Sequence, residues 1–142
     1  KAIAMPGLTP QQRGEALLDR ARAAEALNDL PTARAKLNLA ARDVAADPFY
    51  WYFSASLAMR EGDAATARSS IAKALALAPK DPTVLFEAGH VAHATGDDDQ
   101  ARHYWRSAQD NDSGGAVGRA AAKAIELLGV TPTVKMAPGT SK

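Results

Sequence analysis

Two stretches of the sequence, DPFYWYFSASLAMREGD at residues 47–63 and DPTVLFEAGHVAHATGD at residues 81–97, open on Asp-Pro, close on Gly-Asp and stand 34 residues apart. Written at that spacing, the rest of the chain falls into columns. Leu17, Trp51 and Leu85 share one column, Ala21, Ala55 and Gly89 a second, and Ala24, Ala58 and Ala92 a third. Asn28-Asp29 falls under the two Gly-Asp pairs. Beyond them come Ala33, Ala67 and Ala101, then Leu37, Ile71 and Trp105, then Ala40, Ala74 and Ala108. Small residues recurring in the same columns three times mark an internal repeat.

Each repeat reads as two antiparallel helices. Asp47 and Asp81 are N-caps, each followed by a proline at the first helical position, where its missing N–H costs nothing. Thr9-Pro10 plays the same part for the first helix, with Gln12 placed to complete a capping box. Gly62 and Gly96 supply left-handed residues that end a helix, and the aspartates behind them cap the next. The spacing predicts helices near 10–27, 31–45, 48–60, 64–77, 82–94 and 98–109. Ser113-Gly114-Gly115 breaks the pattern, and a seventh helix comes at about 116–128, its apolar stripe made by Val117, Ala121, Ala124, Ile125 and Leu128. Such a helix closes the flank that a last repeat leaves exposed. The tail from Val130, rich in Pro and Thr, is expected to be extended.

Composition agrees with an all-α chain. Of 142 residues 33 are Ala, while Ile, Val and Leu together number 22, which favours helix over sheet. Seventeen basic and sixteen acidic residues leave a net charge of +1, so nothing in bulk charge draws the chain to nucleic acid or to anionic membrane. Cysteine is absent. Disulfides, thiol catalysis and thiolate zinc sites are thereby excluded, and cytoplasm and periplasm both stay open. No apolar run approaches a membrane span. The first residue is Lys1 rather than Met, as an excised part of a longer chain would show.

These columns resemble the tetratricopeptide repeat (TPR) family over roughly residues 10–129. The second unit carries the signature as Trp51, Ala55, Ala58, Gly62-Asp63, Ala67, Ile71, Ala74 and Pro79. The third carries it as Leu85, Gly89, Ala92, Gly96-Asp97, Ala101, Trp105 and Ala108. The sequence departs from the pattern at Arg20, Ser54 and Ala88, where the family usually has Leu, and only the middle unit keeps the terminal Pro. The resemblance implies an α-solenoid, a right-handed superhelix of three TPR-like helix pairs plus a C-terminal capping helix. Its repeats would run at about 14–47, 48–81 and 82–115, with the cap at 116–129, an N-terminal extension at 1–9 and the tail at 130–142.

It also implies a concave groove, lined by the first helix of each unit, that binds a peptide or a helix of a partner protein. Here that lining would be Phe49, Tyr52, Phe53, Ser56, Met59 and Arg60 from the second unit. The third unit adds Thr83, Phe86, Glu87, His90 and His93; the first adds Leu18, Arg22 and Glu25. Some family members clamp the terminal carboxylates of chaperones with cationic and amide side chains in five groove columns. In this chain those columns hold Leu18, Arg22, Phe53, Thr83 and Glu87, one cation and one acid, which argues against that mode.

Five of the eight aromatic residues stand consecutively at Phe49–Phe53. Five successive helical positions point all around the axis, so they cannot all be core. Trp51 is expected to pack within its unit and Tyr50 against the preceding one. Phe49, Tyr52 and Phe53 then turn to the groove, where with Met59 and Phe86 they form an apolar patch of the kind that marks a partner site, unless the chain's own tail covers it.

Other chemistry finds little support. His90 and His93 lie three apart, near enough to share a metal, but a site needs a third ligand and no His-Glu-x-x-His arrangement is present. No metal, cofactor or catalytic residue is expected. The serines at 69, 70 and 113 lack a catalytic elbow, and the glycines at 114, 115 and 118 lack the Lys and the strand of a phosphate loop. Arg34, Lys36 and Arg42, like Arg102 and Arg106, read as solvated faces rather than a nucleic-acid stripe. The expected function is a non-enzymatic protein-binding module. Two other readings remain: a TPR module for bacterial envelope assembly, loosely similar to those of cytochrome c maturation, or a self-assembling scaffold, which would make the chain a homo-oligomer.

Overall fold

The computed structural model describes residues 7–129. Over these the chain forms seven helices: α1 (Pro10–Ala26), α2 (Leu30–Val44), α3 (Pro48–Glu61), α4 (Ala64–Leu77), α5 (Pro82–Ala94), α6 (Asp98–Asn111) and α7 (Ala116–Leu128). Every end lies within two residues of the expected spans. The tail from Val130, expected to be extended, lies outside the described residues.

The N-caps form as their residue types dictate. The Asp47 carboxylate accepts from the Phe49 N–H at 2.9 Å, and Asp81 accepts from Thr83 and Val84 at 2.9 and 3.1 Å. Thr9 and Gln12 exchange both bonds of a capping box.

The turn inside each pair is built three times in the same way. Asn28, Gly62 and Gly96 all have positive φ, at 62°, 74° and 93°. In each case the following aspartate N–H reaches back to close the helix, to the carbonyls of Ala24, Ala58 and Ala92 at 2.8, 2.9 and 2.8 Å. The same three aspartates, Asp29, Asp63 and Asp97, then accept from the N–H of Thr32, Thr66 and Gln100. Asparagine is the residue best able to replace glycine in the left-handed region, so Asn28 keeps the geometry of its column.

α1 pairs with α2, α3 with α4, and α5 with α6, and α7 lies against α6 and α5. Nine of the column alanines, at 21, 33, 40, 55, 58, 67, 74, 101 and 108, are wholly buried. Small side chains let the paired helices approach closely enough for the larger ones to interdigitate. The core is accordingly a row of three clusters. The first joins α1 and α2 to Tyr50, Phe53 and Leu57 of α3; the second joins α3 and α4 to Val84, Ala88 and Val91 of α5. The third joins α5 and α6 to Ala121 of α7, with Ala124, Ile125 and Leu128 packed beside it. Each pair is thus completed by the next helix along the chain, and α7 does this for the last.

One expected core residue differs. Leu17 and Leu85 are 4% and 3% exposed, but Trp51 in the same column is only half-buried. The indole is larger than the leucine-sized slot and extends out of it. Its Nε1–H donates to the Ala45 carbonyl at 2.6 Å, the Lys73 ammonium lies 4.4 Å from the ring centre, and the ring touches both the first and second clusters. Trp51 therefore bridges two pairs instead of filling one. Tyr50 packs against the preceding pair as expected.

Ser54, in a column where Leu is usual, is buried and shares a hydrogen bond with buried Ser70 at 2.9 Å. Arg34 of α2 reaches the Ser54 hydroxyl and carbonyl and pairs with Glu61 at 2.7 Å. The polar side chain in this column is thus satisfied by a second helix pair. At the other end Asp112 starts α7: its carboxylate accepts from the Gly118 N–H at 3.0 Å. A Cβ at Gly118 would run into the Asp112 carbonyl, so glycine is required there. The N-terminus of α7 thus holds the chain's own carboxylate.

Candidate functional site

Of the first helices, α3 and α5 are in direct contact, and α1 meets α3 through the first cluster. Phe49 is 38% exposed and meets Tyr52 edge-on at 6.3 Å between ring centres. Tyr52 and Met59 are half-buried against the second cluster. Phe86 is half-buried against the third, 4.5 Å from the His90 ring, which in turn stands 5.4 Å from Trp105. Ser56, Thr83 and Glu87 are half-buried as well.

Phe53, expected to line the groove, is instead buried, 6% exposed. It fills the gap between α1 and α3 in the first cluster, together with Leu17 and Leu18, and the Arg22 guanidinium lies 5.9 Å from its ring centre. Leu18 is likewise core at 5% exposed. Of the apolar residues expected to form the patch, Phe49, Tyr52, Met59 and Phe86 keep some exposure and Phe53 does not.

Three of the polar candidates have partners within the chain. Arg60 donates to the Glu25 carboxylate at 2.6 Å, to the Glu25 carbonyl and to Asn28. His93 Nδ1 lies 2.8 Å from the Asp98 carboxylate. Arg22 approaches Asp19 at 3.6 Å.

Glu87 is different. Among the described residues it has no ion-pair partner, and burial alone pushes its carboxyl up to about 7. Burial also raises the Tyr52 hydroxyl, with the charges of Glu87, Arg22 and Glu25 acting on it in turn. These four groups, from α1, α3 and α5, therefore share one electrostatic neighbourhood. His90 is lowered, first by burial and then by His93. The sequence placed Glu87 on this face but gave no sign that its charge would be desolvated.

Stability near this face depends on pH. Between the ordinary value of 4.5 and about 7 the unfolded Glu87 carboxyl ionises while the folded one keeps its proton, so this group withdraws stability as pH rises through that window. His90 acts oppositely, withdrawing stability as pH falls below 6.5. Glu87→Gln removes the first effect. We expect the variant to gain about 1–2 kcal/mol on wild type at pH 8, after allowance for partial solvation, and almost nothing at pH 4.5. Urea midpoints at the two pH values check this; an equal shift at both would rule out ionisation as the cause.

Among the described residues no group of three His, Cys, Asp or Glu side chains is placed to hold a metal ion, and no helix is long and apolar enough to cross a membrane. A separate cleft between α4, α5 and α6 has an apolar floor of Ile71, Leu75, Ala88 and Val91, away from the aromatic face.

No protein-family model matches the chain. No curated protein sequence matches it either. Solved structures do match. The first TPR of Spaghetti (RPAP3), bound to the HSP90 peptide SRMEEVD, is similar with a TM-score of 0.74 at 14% identity, over 85% of this chain and 96% of that one. The Arabidopsis OM64 TPR domain gives 0.74 at 15% identity, over 84% and 99%. The Yersinia enterocolitica type III secretion translocator chaperone SycD gives 0.73 at 14%, over 80% and 88%. At such identities the likeness is one of fold: three helix pairs and a closing helix, arranged as in TPR proteins.

Proposed function

We propose that this chain is a non-enzymatic binding module whose face of first helices takes up a peptide or helical segment of another protein. The observation that carries the reading is two pairs of rings that keep some exposure among the described residues, Phe49 and Tyr52 on α3 and Phe86 and His90 on α5, on helices in direct contact. Aromatic side chains that are rigid, partly desolvated and adjacent are the usual anchors of a protein interface. Similar architecture in a structure that holds a peptide, SRMEEVD, supports the mode. It does not supply the partner: an acidic segment of that kind would set its carboxylates against Glu87. One short segment in such a groove binds at about micromolar strength, roughly −8 kcal/mol.

The test is a selection from a random peptide library, wild type against the double variant Tyr52→Ala/Phe86→Ala, with helicity checked by circular dichroism. Selected peptides should bind wild type at least about tenfold more tightly than the folded double variant. Equal binding by both would move the partner site off this face.

A further inference from the structure

The columns that make the three units alike also expose where one departs. At the junction of the first two units Arg22 of α1 lies over the Phe53 ring of α3, 5.9 Å from its centre. One repeat further on, the column mates of these residues are Ser56 and Glu87. The first junction therefore sets a cation on an apolar ring, both from within the chain. The second sets a carboxylate against a helix whose matching position offers only a hydroxyl. The remaining cations of the face are already engaged, Arg60 with Glu25 and Asn28, and Arg22 with Phe53 and Asp19. Among the described residues Glu87 is left half-buried and with no cation paired to it, on the helix that also carries Phe86 and near enough to Tyr52 of α3 for its charge to act on the Tyr52 hydroxyl.

A ligand cation brought to a half-buried carboxyl that has no cation of its own favours the ionised form and pairs with it, an interaction the chain does not itself supply. The neighbouring rings favour apolar side chains on either side of that cation, and Tyr52 and Phe86 offer ring faces and edges along its stem. We infer, resting on the groove reading, that the segment this face binds carries a lysine or arginine flanked by apolar residues, its cation paired with Glu87 and its flanks on Tyr52 and Phe86. Acidic segments are disfavoured at the same point by like charge.

A random-peptide selection reads this directly when Glu87→Gln is run beside wild type. Gln keeps the size and hydrogen-bonding reach of Glu and removes only the charge, so folding is preserved. Wild type should enrich peptides with Lys or Arg at one fixed position between apolar residues, and Glu87→Gln should lose that enrichment while still binding through the rings. For one enriched peptide synthesised with Lys and with Gln at that position, wild type should prefer Lys by about ten- to a hundredfold and Glu87→Gln by less than about threefold. Wild-type peptides lacking a basic preference, or rich in acid, overturn the inference and leave the groove reading standing. A basic preference that survives unchanged in Glu87→Gln also overturns it, by placing the recognition elsewhere. If Tyr52→Ala/Phe86→Ala retains the same peptides as wild type, the groove reading itself falls and this inference with it.

Discussion

Trp105→Ala is expected to lower the unfolding free energy by about 3–5 kcal/mol, the range for emptying a large buried aromatic site. Trp105 is 2% exposed and sits in the third cluster with Leu85, Ala101, Ala108 and Ala121. Its Nε1–H donates to the Phe86 carbonyl at 3.1 Å, so truncation also removes a partner from that group. The indole lies directly on Gly89, where a Cβ would overlap the ring. The columns explain the arrangement. The first two units pair Leu37 and Ile71 with alanine at positions 21 and 55; the third pairs a much larger side chain with glycine. Gly89→Ala should therefore destabilise by about 1–3 kcal/mol through overpacking, despite the better helix propensity of alanine. In a Trp105→Leu background the same Gly89→Ala change should cost nothing or stabilise by up to about 1 kcal/mol. Urea denaturation of the four proteins closes the double-mutant cycle. Additive effects would show that volume is not exchanged between the two positions.

Ending the chain at Gly115, without α7, is expected to cost about 3–6 kcal/mol, from the loss of partial burial of Val117, Ile125 and Leu128 and full burial of Ala121. A single domain has about 5–15 kcal/mol to lose, so this places the shortened chain near its threshold. The flank uncovered includes Leu85, Trp105 and Ala108. Thermal unfolding should move down by about ten degrees or more, on the order of several degrees per kcal/mol, and the indole emission of Trp105 should shift toward that of a solvated ring. An unchanged midpoint would mean that α7 is an appendage rather than part of the third cluster.

The fold was legible because its determinants are local and recur. An Asp-Pro start, a left-handed residue followed by a capping aspartate, and alanines at fixed spacing each leave a mark on sequence, and the 34-residue column turns weak marks into a pattern. Even Asn28 was readable, since its column mates are Gly62 and Gly96. No family model matches, and the helices and their pairing were nevertheless plain from capping and spacing. The face was legible only in outline. Of the positions that the resemblance assigns to a groove, Tyr52, Met59, Phe86 and His90 are half-buried, but Phe53 is buried because the gap between α1 and α3 is wide enough to take a phenyl ring, a dimension no single helix encodes. Trp51 projects outward for the converse reason. The Arg34–Ser54–Glu61 network joins residues up to 27 positions apart and follows no period. The isolation of Glu87 depends on which cations three helices have already used.

The Trp51 indole has a mechanical consequence. Within each pair the helices are held by the same kind of closed turn, so the pair is the tighter unit and the two junctions between pairs are the looser seams. Adjacent pairs pack less extensively than the helices inside a pair. The first junction carries a latch, for Trp51 on α3 holds the Ala45 carbonyl at the end of α2. Its column mate at the second junction is Leu85, which has no donor to offer. The two junctions are therefore joined differently, the first by this polar latch and the second by the broader packing of α5 on both α4 and α3.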